Sequence, residues 1–132
     1  MSSIIGIIPA RYASTRFPAK ALADIAGKSM IRRVWEQASR ASSLHELIVA
    51  TDHEAIFEHV SDFGGRVVMT SAEHQSGTDR CYEAYALSGS KAEYVINIQG
   101  DEPFIDPQQI DLLAAQLQDA AELATLAISI TE

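Results

Sequence analysis

Only one cysteine, Cys81, occurs in the 132 residues, so an internal disulfide is excluded. The histidines His45, His53, His59 and His74 show no zinc-ligand spacing with it, and the thiol is expected to be a small buried apolar group. Long apolar runs are also missing. The opening stretch IIGII is cut by Pro9 and Arg11 before it reaches the length of a signal-peptide core or a membrane span. A cytoplasmic protein with no membrane partner is the expectation. Internal repeats, low-complexity tracts and linkers are absent, and 47% hydrophobic with 21% charged residues fits one globular domain with a sizeable core.

Positive charge is scarce, and what there is sits at one end. The net charge of −8 argues against nonspecific binding to nucleic acid or to an anionic membrane. Residues 1–40 nevertheless hold seven Lys/Arg against two acids, a local net of +5 that leaves −13 on the remainder. Such polarisation allows a local anion site without general polyanion binding. Two nucleotide signatures are missing as well. The sequence has no G-x-G-x-x-G after its first apolar run, and Gly27-Lys28-Ser29 only imitates the end of a Walker A loop, because Leu22 stands where that loop needs glycine. A dinucleotide-dependent enzyme and a P-loop NTPase are both disfavoured.

What is present alternates between strand and helix patterns. Short apolar, β-branched runs at Ile4–Ile8, Leu47–Ala50, Arg66–Met69, Tyr94–Ile98 and Leu123–Ile130 read as strands. Between them, Met30, Ile31, Val34, Trp35 and Ala38 fall at helical spacing in a helix predicted from Lys28 to Ala41, and Ile56, Val60 and Phe63 do so in a second. Thr51 with Glu54 predicts a capping box for the second helix, and Gly64-Gly65 its end. Thr78–Leu87 predicts a third helix. Asp106-Pro107 predicts an N-cap and first-turn proline for a fourth, running to about Gln118 with Ile110, Leu113, Ala114 and Leu117 inward. This order predicts a doubly wound α/β fold, a mostly parallel sheet sandwiched by helices. With strand order 3-2-1-4, ligands would bind at the carboxyl ends of the first and fourth strands, where winding reverses. PARYASTRFPAK and QGDEPF leave from those two ends.

The two segments carry complementary chemistry. Arg11, Arg16 and Lys20 offer forks and a point charge for a triphosphate, with Ser14 and Thr15 as hydroxyl donors, although solvated loop charges are the plain alternative. Asp101, after Gly100, is placed to hold Mg2+ against phosphate oxygens, and a turn carboxylate is its plain alternative. In the third unusual stretch, HQSGTDR, Ser76 with Asp79 resembles a helix entry, and Gly77 permits close approach of backbone to a flat base.

IIPARYASTRFPAKAL, ATDHEAI, HQSGTDR and INIQGDEPFI together resemble the cytidylyltransferases that activate 3-deoxy-manno-octulosonate (Kdo), the CMP-Kdo synthetases, over essentially the whole chain. The resemblance implies a Rossmann-like nucleotidyltransferase fold and a reaction of CTP with Kdo that gives CMP-Kdo and pyrophosphate, with Mg2+, for lipopolysaccharide biosynthesis. It implies Arg11, Lys20 and Asp101 as catalytic residues, with Asp101 as the metal ligand. Pro9, Ala10, Ser14 and Arg16 would join Arg11 and Lys20 around the nucleotide, Ser76 and Gly77 would line the cytosine pocket, Gln99 would lie by the sugar or nucleotide, and Arg80 would contact substrate. PARYASTR favours Kdo over acylneuraminate as the acceptor. Ala19 and Ala21 depart from the glycine and proline common in the family. The family also continues well beyond residue 132. Residues 1–132 are therefore expected to be the nucleotide-binding portion of a single nucleotidyltransferase domain, truncated relative to the family. The sugar-binding and dimerisation part, with a second metal-binding aspartate, would be absent. The alternatives are a CTP-binding module without turnover and another sugar nucleotidyltransferase.

Overall fold

The structure, a computed structural model, describes residues 3–10, 22–25, 27–71, 77–98, 105–119 and 127–130. The expected alternation is realised as five parallel strands: β1 (Ile4–Ala10), β4 (Glu46–Thr51), β5 (Val67–Met69), β6 (Tyr94–Ile98) and β7 (Ala127–Ile130). Their order is β5-β4-β1-β6-β7. The chain winds outward from β1 through β4 to β5, then crosses back to β6 on the other side of β1 and continues to β7. The reversal lies between β1 and β6, which pair in register from Ile4 opposite Tyr94 to Ile7 opposite Asn97.

Among the described residues four helices cover the sheet: α1 (Met30–Ser39), α2 (Glu54–Asp62), α3 (Gly77–Ser88) and α4 (Pro107–Asp119). Alternation along the strands divides the core in two. Ile4, Ile8, Ala10, Ile96 and Ile98 pack against Ile31, Val34, Ile56, Val60, Ile110 and Ala114 from α1, α2 and α4. Ile5, Ile7, Ile48 and Ala50 face Cys81 and Ala84 of α3. Cys81 is fully buried, and burial pushes its thiol up to about 12, so it is the inert packing group its isolation in the sequence suggested. The inward residues expected on α4 are confirmed at Ile110 and Ala114, with Leu113 packed at the edge; the side chain of Leu117 lies outside the described set.

Local signals set most boundaries. Gly64, at φ +88°, closes α2 in a conformation that suits glycine, and its N–H reaches the Ser61 carbonyl. Asp106 caps α4 by accepting from the Gln108 N–H at 2.9 Å. Asp111 then accepts from the Ser43 N–H at 2.9 Å, tying α4 to the turn before β4. The start of α2 differs from expectation. Thr51 is the last residue of β4, and its hydroxyl accepts from the His53 N–H instead of closing a box with Glu54. His53 is the N-cap, with Nδ1 accepting from the Ala55 N–H at 3.0 Å. A strand-terminal hydroxyl cannot also serve a helix that begins three residues later. The first helix also begins later than Lys28. Before it, Asp24–Ile25 (β2) and Lys28–Ser29 (β3) form a two-stranded antiparallel hairpin that the pattern did not predict, turned at Gly27 with φ +95°. Ser29 then caps α1 by accepting from the Arg32 N–H.

Candidate functional site

The carboxyl ends of the parallel strands form one edge of the sheet, and β1 and β6 open onto it side by side. At β1, Pro9 pairs with Ala50 and Ala10 with Thr51, and Ala10 is buried. The structure therefore places Pro9 and Ala10 at the rim where the cationic segment begins. Arg11, Ser14, Arg16 and Lys20 lie outside the described residues, as do Ser76, Gln99 and Asp101. Their anchors are nevertheless defined: Arg11 follows the end of β1, and Gln99 follows the end of β6. Gly77 opens α3. Among the described residues, no group of three or more His, Cys, Asp or Glu is arranged to hold a metal ion.

Beside the switch point, the ends of β4 and β5 and the first turn of α3 are joined by a buried polar network. Arg80 is 3% exposed. Its Nη1 donates to Thr70 Oγ1 at 2.6 Å and to the Ser71 carbonyl at 3.1 Å, and its Nη2 lies 3.5 Å from Asp52 Oδ2. Thr70 in turn donates through both its N–H, at 2.7 Å, and its hydroxyl, at 3.2 Å, to the carbonyl of Thr51 at the end of β4. The guanidinium expected to touch substrate is here turned into the protein, holding two strand ends to a helix.

Sequence reasoning passed over Asp52, Thr70 and Glu83. Asp52 sits inside the ATDHEAI block, but a carboxylate next to a strand end has many ordinary uses, and only the fold brings it to Arg80. A further residue missed was Asn97, which is 2% exposed on β6. It shares a sheet face with Val95, which packs on the α3 side, and its Oδ1 meets no hydrogen-bond partner among the described residues. An unpaired buried acceptor of this kind costs about 1–3 kcal/mol. Asn97→Val, with a β-branched side chain of similar size, is expected to raise stability by about 1 kcal/mol in a urea titration. A lower midpoint would show that the amide has a stabilising partner.

Three cations outside the first loop are engaged locally. Lys28 Nζ and Arg32 Nε share Glu36 at 2.9 and 3.2 Å, and hydrogen bonding to Lys28 leads the effects that hold the Glu36 carboxyl below its usual value. Arg66 pairs with Glu46 at 2.8 Å. These pairs are at the surface, each partner at least 30% exposed.

The chain matches a family model described as cytidylyltransferase over residues 5–132. It is 58% identical over 123 residues to a 3-deoxy-manno-octulosonate cytidylyltransferase of Phocaeicola vulgatus, covering 92% of this chain and 48% of that protein. It is 56% identical over 127 residues to the like-named protein of Parabacteroides distasonis, covering 96% and 50%. The chain thus spans about half the length of the curated relatives it matches. Among solved structures, a CMP:2-keto-3-deoxy-manno-octonic acid synthetase in complex with CTP superposes with a TM-score of 0.87 at 42% identity, over 91% of this chain and 49% of that one. A cytidylyltransferase of Leptospira borgpetersenii, at 21% identity, shares the fold with a TM-score of 0.77 over 90% of this chain and half of its own. With its sheet order, its switch point and a match running to its last residue, this chain belongs to the cytidylyltransferase family.

Proposed function

We propose that the chain forms the CTP-binding part of an enzyme that transfers CMP from CTP to Kdo and releases pyrophosphate, a step that supplies lipopolysaccharide biosynthesis. The observation that carries this reading is the parallel pairing of β1 with β6, which sends PARYASTRFPAK and the QGDEPF segment out from neighbouring strand ends. The names of the relatives, and the CTP complexed by the similar synthetase, supply the nucleotide and the acceptor.

In this reading Arg11 and Lys20, assisted by Arg16 and Ser14, bind the triphosphate, while Ser76 and Gly77 border the base and Gln99 lies by the sugar or nucleotide. The anomeric hydroxyl oxygen of Kdo forms the new bond to the α-phosphorus and gives up its proton to solvent, as the bond to the bridging α–β oxygen breaks and pyrophosphate leaves. Transfer of this type asks a protein mainly for alignment and for neutralisation of charge on the phosphate oxygens. Mg2+ held by Asp101 would supply part of that neutralisation when bound.

Two measurements test the reading. The chain is expected to bind CTP in preference to UTP in Mg2+ buffer; preference for UTP would overturn the nucleotide assignment. Pyrophosphate release from CTP and Kdo then decides turnover. CTP binding without release would leave this chain a nucleotide-binding module.

A further inference from the structure

Ser71, just past β5, is gripped at both backbone groups by side chains one turn apart on α3. Its N–H donates to Glu83 Oε1 at 2.9 Å, and its carbonyl accepts from Arg80 Nη1 at 3.1 Å. Arg80 is fixed in turn by Thr70 and Asp52. The point where the chain leaves β5 and the helix it enters at Gly77 are thereby locked to each other and to the end of β4.

A buried guanidinium is a poor way to gain stability, because an apolar residue of similar volume commonly serves as well. The other ion pairs among the described residues, Lys28–Glu36, Arg32–Glu36 and Arg66–Glu46, all have partners at least 30% exposed. The buried one stands at the carboxyl edge of the sheet, beside the switch point. Its location fits a role in placing groups for binding, since preorganised supports save the ordering cost of a ligand site.

Resting on the function proposed above, we propose that Glu83 and Asp52 are positioning residues of the nucleotide site: through Ser71 and Arg80 they hold the end of β5 to the first turns of α3 and so set affinity and selectivity for the nucleobase. Neither carboxylate is a donor to an anionic ligand, which makes the sign of the effect diagnostic. If Glu83 acted only through its charge, removing it would leave CTP binding unchanged or strengthen it, because it repels the triphosphate. If it positions Ser71, losing the acceptor weakens binding although a negative charge has gone.

The test is calorimetric binding of CTP and of UTP in Mg2+ buffer to the 132-residue chain and to Glu83→Ala, Glu83→Gln and Asp52→Asn, with thermal unfolding of each. Glu83→Ala is expected to weaken CTP binding about five- to tenfold and to narrow the CTP-to-UTP ratio, whereas Glu83→Gln, which keeps an acceptor oxygen, stays within about twofold of the parent. Asp52→Asn is expected to shift the ratio in the same direction. A parent that binds CTP, together with a Glu83→Ala variant of parental or higher affinity and unchanged ratio, overturns the inference while leaving the proposed function standing. A parent that binds neither nucleotide overturns the proposed function, and the inference falls with it. Glu83 is only partly buried, so its variants remain readable even where Asp52→Asn fails to fold.

Discussion

Asp52→Ala is expected to lower the stability of the chain by about 3 kcal/mol, toward the lower end of the range for stripping one partner from a buried ion pair. Arg80 cannot escape by losing its proton, because a guanidinium stays charged throughout the accessible pH range. At 3% exposure it also cannot be rescued by water without moving α3 away from β5. Asp52, whose side chain is 14% exposed, is its only ion-pair partner among the described residues. The estimate stays near the lower end because Thr70 Oγ1 and the Ser71 carbonyl continue to accept from Nη1. Two companions identify the cause. Asp52→Asn retains an oxygen toward Nη2 and is expected to lose about half as much. The double variant Asp52→Ala/Arg80→Met is expected to recover much of the loss, since no charge is then left buried, giving a coupling well above the few tenths of a kcal/mol seen between independent sites. Urea unfolding of the parent, Asp52→Ala, Asp52→Asn, Arg80→Met and the double variant measures it. A loss below about 0.5 kcal/mol in Asp52→Ala would mean that the pair is of the weak surface type.

Much of the fold was legible because the signals for it are local. Runs such as IIGII and YVINI are too short and too β-branched for helices, and their spacing leaves room for one crossover helix each, so a parallel sheet with right-handed crossovers is legible, whereas the order around β1 entered as a condition that the sheet meets. The N-cap at Asp106 and the glycine stop at Gly64 are written in single residues. The errors came where two local signals competed for one residue. Thr51 could end a strand or cap a helix, and the sheet, which pairs it with Ala10, kept it. The β2–β3 hairpin was missed because two-residue strands have no periodicity to read, and Lys28 and Ser29 were assigned to the helix that follows them. The site was legible to a different degree. Its segments stand out in the sequence by charge and by glycine, whereas the network beneath it joins residues 51, 52, 70, 71, 80 and 83 from two strand ends and a helix. None of those residues is unusual in its own neighbourhood. Arg80 illustrates the limit: the resemblance implies a substrate contact, and only the structure shows its guanidinium buried and engaged with Asp52, Thr70 and Ser71.

Lys20→Ala and Arg11→Ala are each expected to weaken CTP binding by one to two decades, while leaving the unfolding midpoint unchanged. A charge-assisted contact to a phosphate oxygen accounts for about 1.5–3 kcal/mol when one partner is removed, and each 1.4 kcal/mol is about tenfold in affinity. The decisive control is a cation from the same basic end of the chain that the structure commits elsewhere. Lys28 is 38% exposed and bonded to Glu36, so Lys28→Ala changes net charge by the same amount at a cation already engaged with a carboxylate. If the basic end acted through its overall field, all three variants would lose similar affinity, and added salt would erase the difference from the parent. If Arg11 and Lys20 make direct contacts, Lys28→Ala stays within about twofold of the parent, and the loss in the other two persists at 0.15 M salt, where the screening length is about 8 Å. The Mg2+ titration separates the remaining part of the site, because Asp101→Asn is expected to raise the Mg2+ needed for half-maximal CTP binding while retaining the cationic contacts. Parental affinity in both Lys20→Ala and Arg11→Ala would return PARYASTRFPAK to an ordinary solvated loop and remove the main support for a triphosphate at this edge.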